Sequence, residues 1–364
     1  AYILLPWWMN QYYADRDILQ QHYPTMKNYM DYLHQLAASD TDPDERYIIN
    51  EFGGHWDSLG EWCAPGGGNG PNNPLVSTYY WYLNCATMAK IAGTLERAED
   101  RQYYLALADT VKQAFNQKFF NSATNLYGVD SVYQTYLLFA LDQGLIPEGH
   151  KEAVLQNLID DIVITRDGHL NTGILGTKHL FRVLAEEGRQ DVIHKMVTKT
   201  TYPGWGFWIK NGATTLWESW SGKSSHNHQM FGSVNEYFYK HLAGIHAPTD
   251  EGTTAGYKKI HFKPYIPEQL EWVEASVGTM HGRVSSGWEK KEDGLTLLVT
   301  IPANASGKIS IPVLGHDEVV VSESGRKIWK DGKLMEDSEG ITDGYRDDQY
   351  IVFEVQSGTY QFVL

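Results

Sequence analysis

Apolar residues over the first 245 positions return at helical spacing. Between Asp15 and Ala38, Ile18, Leu19, Tyr23, Met26, Met30 and Leu33 recur every three to five residues and predict one amphipathic helix. An apolar segment reaching about Tyr13 predicts a helix before it, although no Ser, Thr, Asp or Asn cap stands ahead of Ala1. The same period predicts further helices at about 77–94, 98–119, 130–143, 149–164, 174–187, 189–200 and 229–244. Their joints are short and carry stop signals such as Gly93, Gly144 to Pro147 and Gly188. Tight joints make consecutive helices antiparallel neighbours, while longer glycine- and aromatic-rich loops fall between the pairs. That alternation predicts a toroid of helical hairpins with its functional loops at one end. Six closed hairpins require twelve helices, and about nine are found here. Roughly three are therefore expected upstream of Ala1.

After His246 the period shortens. Lys259–Pro264, Trp272–Ser276, Gly282–Lys290, Leu295–Ile301, Gly307–Ile311, Val319–Ser322, Tyr350–Val355 and Thr359–Leu364 alternate apolar with polar residues and are punctuated by Gly, Asn and Asp. This is the pattern of an all-β sandwich. The expected domains are residues 1–246, helical, and 257–364, a structural β-module.

Composition narrows the ligand. With 45 acidic against 30 basic residues the net charge is −15, which disfavours a phosphate-backbone partner and so nucleic acid. No apolar run is long enough for a membrane span. Cys63 and Cys85 are the only cysteines, too few for a disulfide scaffold or a four-cysteine zinc site. Aromatic residues make up 13% of the chain, with 12 Trp and 23 Tyr. Such a chain suits a neutral or weakly charged ligand. Signatures of serine hydrolases, P-loops, zinc proteases and dinucleotide binders are missing, and no cofactor or metal is expected.

Three inter-hairpin segments could carry chemistry. In Phe52 to Gly68, Asp57 and Glu61 stand between Trp56 and Trp62 among glycines that let backbone approach a ligand. Indole faces pack on the C–H face of a sugar ring, and carboxylates accept from its hydroxyls. The alternative is a loop whose Trp residues plug the core. In Tyr202 to Trp220, Glu218 lies between Trp217 and Trp220, where desolvation would raise a carboxylate pKa toward the range useful for acid–base work. It could instead cap a helix or pair with an Arg. In Ser225-His-Asn-His, His226 and His228 are two apart and would diverge on a helix, so hydrogen bonding suits them better than metal binding.

Gly212-Ala-Thr-Thr-Leu-Trp-Glu, followed by Ser225-His-Asn-His and Phe231-Gly-Ser-Val, resembles the C-terminal half of glycoside hydrolase family 78, the inverting α-L-rhamnosidases. His22-Tyr-Pro-Thr-Met-Lys, His169-Leu-Asn-Thr-Gly-Ile-Leu-Gly-Thr and Tyr202-Pro-Gly-Trp-Gly agree with it. The resemblance implies an (α/α)6 toroid, N-terminally incomplete here, followed by a C-terminal β-sandwich. It further implies Glu218 as general base, His228 as a substrate-binding histidine and Trp62 as the Trp of a Gly-Asp-Trp loop. That loop reads Gly60-Glu61-Trp62 here, which leaves the role of Glu61 in doubt. The segment with the general acid is expected before Ala1, so the chain alone is expected to turn over little. Trp62 and Trp205 would wall the apolar side of a 6-deoxy sugar, with Asp57 and Glu61 as further contacts. The expected partner is a rhamnose-containing oligosaccharide, polysaccharide or glycoside, in a periplasmic or extracellular rather than cytoplasmic setting. Another (α/α)6 glycosidase, a polysaccharide lyase and a non-catalytic carbohydrate-binding fragment remain as alternatives.

Overall fold

Asn72 starts the first long hairpin of the computed structural model, which describes residues 1–50, 60–67, 70–246, 255–291, 294–316, 318–335 and 338–364. The Asn72 side chain accepts from the N–H of Leu75 at 3.1 Å and caps α3 (Asn73–Thr94). Pro74 sits in its first turn, where a missing N–H costs nothing. This cap starts the helix four residues before the expected position. The antiparallel partner α4 (Ala98–Phe119) carries Glu99 and Asp100 in its first turn, where acidic groups favour the helix dipole. Two more pairs follow, α5 (Gln134–Asp142) with α6 (Lys151–Asp160) and α7 (Ile174–Glu186) with α8 (Gln190–Val197). Gly188 takes a left-handed φ of 69° between α7 and α8, letting Arg189 N–H donate back to the Leu184 carbonyl at 2.7 Å.

Packing divides the chain into two compact units, residues 1–4 with 20–234, and residues 5–19 with 235–364. In the helical unit, Asp142 ends α5 with its side chain fully enclosed. It accepts from Arg182 Nε at 2.8 Å and from Tyr79 Oη at 2.8 Å, and lies 3.1 Å from His179 Nδ1. Burial pushes this carboxyl up, but the His179 and Arg182 contacts outweigh it and hold the group well below the usual range. One buried charge thereby joins α3, α5 and α7. Two elements were not expected in this unit: the hairpin of β1 (Phe120–Asn121) and β2 (Leu126–Tyr127), and the six-residue α9 (Trp205–Lys210). Among the described residues no helix is long and apolar enough to cross a membrane.

The second unit contains α1 (Leu4–Tyr13) from its second residue onward, the first four residues of α2 (Arg16–Ala38), the helix expected between Asp15 and Ala38, and the end of the helical region. The helix expected over 229–244 is broken into a 3₁₀ turn (Gln229–Phe231) and α10 (Val234–Glu236), which runs on as a π-turn (Tyr237–Leu242). Strands β3 (Lys259–Phe262), β4 (Trp272–Thr279), β5 (Gly282–Lys291), β6 (Gly294–Ile301), β7 (Ser306–Pro312), β8 (Val321–Glu323), β9 (Arg326–Lys330), β10 (Lys333–Leu334), β11 (Ile341–Asp347), β12 (Tyr350–Val355) and β13 (Gly358–Val363) then form two sheets. Their orders are β10-β9-β8-β13-β6-β5-β4 and β11-β12-β7-β3. All pairs are antiparallel except β3 with β7, which runs parallel. Leu297 and Val299 of one sheet and Ile309, Ile311, Ile351 and Phe353 of the other share a single core. The Phe353 and Phe362 rings stack across it with centroids 5.5 Å apart. Strands β9, β10 and β11 were not expected. They are short or polar and lie at or near sheet edges, where a strand buries few residues and shows little alternation.

Candidate active site

Glu61 and Trp62 lie side by side in the chain and face opposite ways. Glu61 is fully buried. Its Oε1 accepts from the N–H of Leu175 at 2.8 Å and its Oε2 from the N–H of Gly176 at 2.8 Å, with the Thr135 hydroxyl donating to the same Oε2. The carbonyl of Trp62 accepts from Ile174 N–H at 2.8 Å. The open N–H groups at the start of α7 are thus filled by a carboxylate and a carbonyl from one loop, in accord with the positive end of the helix dipole. Burial raises the Glu61 pKa, with the Thr135 hydroxyl and the Leu175, Gly176 and Gly173 amides pulling the other way. Gly173 and Gly176 make the approach possible, since a Cβ at either would collide with Trp62 O or Thr135 Oγ1. Glu61, expected as a substrate contact, has no exposed surface, and its oxygens are engaged inside the protein. Trp62, by contrast, is 41% exposed and offers an indole to solvent. Asp57 and Trp56 lie outside the described residues.

The Glu218 segment reverses this arrangement. Residues 215–218 run back along 225–228: Glu218 N–H donates to the Ser225 carbonyl at 2.8 Å, and His228 N–H to the Leu216 carbonyl at 2.9 Å. The hairpin-like turn brings Glu218 and His228, ten positions apart in sequence, onto adjoining stretches of backbone, both half-buried. Glu218 Oε2 accepts from Ser225 N–H at 3.1 Å, and Oε1 has no donor among the described residues. Here the indoles are what is buried. Trp220 donates Nε1–H to the Thr172 carbonyl at 2.8 Å, and Trp208 to the Trp220 carbonyl at 2.9 Å. The Trp208 and Trp220 rings stack at 4.8 Å, and Phe231 closes on Trp220 at 4.2 Å.

Trp205, expected as a sugar wall, belongs to this cluster. It is only 7% exposed, meets Trp220 edge-on at 5.0 Å and donates its N–H to the Phe231 carbonyl at 3.2 Å. Little of its face remains for a ligand. His226 stacks on Trp217 at 4.3 Å and shares a hydrogen bond with the Gly222 carbonyl, so it shapes the turn.

Cys63, which was not anticipated, feels the carboxylates of both segments. Burial pushes its thiol pKa up, and the Glu218 and Glu61 carboxylates nearby push it further. A φ of 58° at Cys63 turns the chain immediately after Trp62. The helix over 174–187 was expected, but the carboxylate seated at its start was not. Its signal was present in Thr172-Gly-Ile-Leu-Gly-Thr, two glycines opening a helix, but the anion they receive is a side chain of this chain. Among the described residues no three His, Cys, Asp or Glu side chains gather to hold a metal.

A carboxylate, an imidazole and an exposed indole presented by loops between helical hairpins, with a two-sheet module following in the chain, define a protein of helical hairpins with a polar–aromatic loop cluster. Residues 1–242 match the bacterial alpha-L-rhamnosidase 6 hairpin glycosidase domain, and residues 244–326 the bacterial alpha-L-rhamnosidase C-terminal domain. The chain belongs to the bacterial α-L-rhamnosidase six-hairpin glycosidase family. An alpha-L-rhamnosidase of Formosa agariphila is 32% identical over 99% of the chain, which spans 37% of that protein. The structure of an alpha-L-rhamnosidase from Dictyoglumus thermophilum is 35% identical with a TM-score of 0.85, covering 99% of this chain and 39% of that one. A Streptomyces avermitilis alpha-L-rhamnosidase complexed with L-rhamnose is 26% identical with a TM-score of 0.80, covering 100% and 32%. The chain therefore spans about two fifths or less of the length of these relatives.

Proposed function

We propose that this chain supplies the general base and one sugar-stacking wall of an inverting α-L-rhamnosidase. The observation that carries this reading is the Glu218 carboxylate: half-buried, held through one oxygen by Ser225 N–H, its other oxygen without a donor among the described residues, and near enough to Cys63 to push that thiol's pKa up. In the proposed reaction Glu218 takes a proton from a water as that water's oxygen bonds to the anomeric carbon. The glycosidic C–O bond breaks on the opposite face, and the leaving oxygen takes a proton from a second carboxylic acid roughly 6.5–9.5 Å away. Trp62 stacks on the C–H and methyl face of the rhamnosyl ring, His228 hydrogen-bonds a ring hydroxyl, and Asp57 is a further hydroxyl acceptor. The partner is a rhamnose-containing glycoside.

The test uses the full-length protein on an aryl α-L-rhamnoside. NMR of the first-formed sugar is expected to show the β-anomer. Glu218→Gln is expected to lower kcat by about 10²–10⁴-fold, the usual contribution of a positioned base. Near-normal turnover in that variant, or α-anomer released first, would overturn the assignment.

A further inference from the structure

The start of α7 meets both halves of the candidate site. Thr172 gives its carbonyl to the Trp220 indole at 2.8 Å, while Ile174, Leu175 and Gly176 give their N–H groups to Trp62 O and the Glu61 carboxylate. Thr172 and Thr177 share a hydroxyl hydrogen bond at 2.7 Å, and Thr177 also donates to the Gly173 carbonyl at 2.7 Å, which closes the turn from inside. Glu61 is thus an internal anion in a helix N-terminus, a place often filled by a bound phosphate or carboxylate ligand. Its neighbour Trp62 keeps its indole exposed, while its backbone carbonyl is held at the same helix start and the Glu61 carbonyl beside it accepts from Gly70 N–H at 2.7 Å.

We infer that Glu61 is a positioning residue, which fixes the exposed indole of Trp62 relative to Glu218 by binding the first turn of α7. The first turn of α7 is then a shared footing: the same few residues hold Trp62 on one side and the Trp220 end of the Glu218 segment on the other. Preorganised supports of this kind decide whether a binding group stands in its productive place. This inference rests on the sugar-stacking role proposed above for Trp62.

The test is a double-mutant cycle in the full-length protein with Glu61→Gln, Trp62→Ala and both together. Gln keeps the shape but replaces one acceptor oxygen with a donor that opposes an N–H. Trp62→Ala alone measures the stacking role: an unchanged KM there removes the proposed site reading and, with it, this role of Glu61. With stacking established, Glu61→Gln is expected to raise KM by roughly tenfold to a hundredfold, more than it lowers kcat. In the Trp62→Ala background it is expected to add little, because its effect passes through Trp62. Additive effects, or an unchanged KM in Glu61→Gln, overturn the inference. A readout independent of activity runs beside it. Hydrogen exchange at the amides of residues 174–176 and hydroxyl-radical labelling of Trp62 are both expected to change in Glu61→Gln. Unchanged exchange and labelling also overturn it. If Glu61→Gln does not fold, Thr135→Val removes one donor and leaves the carboxylate; the same shifts, smaller, are expected, and their absence counts equally against the inference.

Discussion

Glu61-Trp62 and Trp217-Glu218 are the same two residue types in opposite order, and the fold inverts their exposure. In the first pair the carboxylate is buried with its oxygens engaged, and the indole is 41% exposed. In the second the indole is 7% exposed, and the carboxylate keeps one oxygen without a donor among the described residues. Either residue can sit inside, but a carboxylate can do so only where several donors converge, and the start of a helix supplies them. The side chain left outside is the one available for chemistry. A Trp beside an acid therefore does not mark a sugar site until the anchored member of the pair is known.

The sharpest challenge to this contrast is the turnover loss of about 10²–10⁴-fold expected for Glu218→Gln, with thermal unfolding little changed. Next comes Trp205→Ala, expected to cost about 3–5 kcal/mol of stability in urea unfolding, against about 0.5 kcal/mol for the exposed Trp62→Ala. Equal costs would mean that the two indoles do not differ as described. Glu61→Ala leaves N–H groups of α7 buried and unpaired and is expected to cost about 3 kcal/mol. Glu218→Ala is expected to cost about 1 kcal/mol, for the single bond to Ser225. The smallest effect concerns pH. Because the folded-state pKa of Glu61 is raised above its ordinary value of 4.5, the folded state keeps a proton that the unfolded chain has already released. Its contribution is full below about 4.5 and is lost as pH rises through the folded value. Stability of Glu61→Gln, followed by urea unfolding across that window, is expected to lack this decline.

Much of the framework was legible in the chain. The helix over 98–119 was read to the residue, since its apolar period is regular and a tight turn precedes it. The helix α9 was not, because Trp205-Gly-Phe-Trp-Ile-Lys is short and too aromatic to show a period. Within the site, the turn pairing Glu218 with His228 is local, and the segment carrying them was recognisable. The role of Glu61 was not, for its donors Thr135, Leu175 and Gly176 stand 74, 114 and 115 residues away. Composition made both carboxylates look alike, and only long-range hydrogen bonding distinguishes them. The burial of Trp205 was equally hidden, because the Trp220 and Phe231 side of its cluster comes from residues further along the chain.

The parallel pairing of β3 with β7 bears on the order in which the second unit folds. An antiparallel neighbour can be added by a hairpin, but a parallel one needs a long crossover. Lys259 and its partner Ser306 are separated by three intervening strands, β4, β5 and β6, and β7 must be in place before β3 has an edge to join. The first strand of the sandwich in sequence is thus among the last to dock, since distant contacts form slowly. During synthesis it has the local bridge of Phe262 to Ile245, but its sheet neighbour arrives only when the middle of the module has emerged.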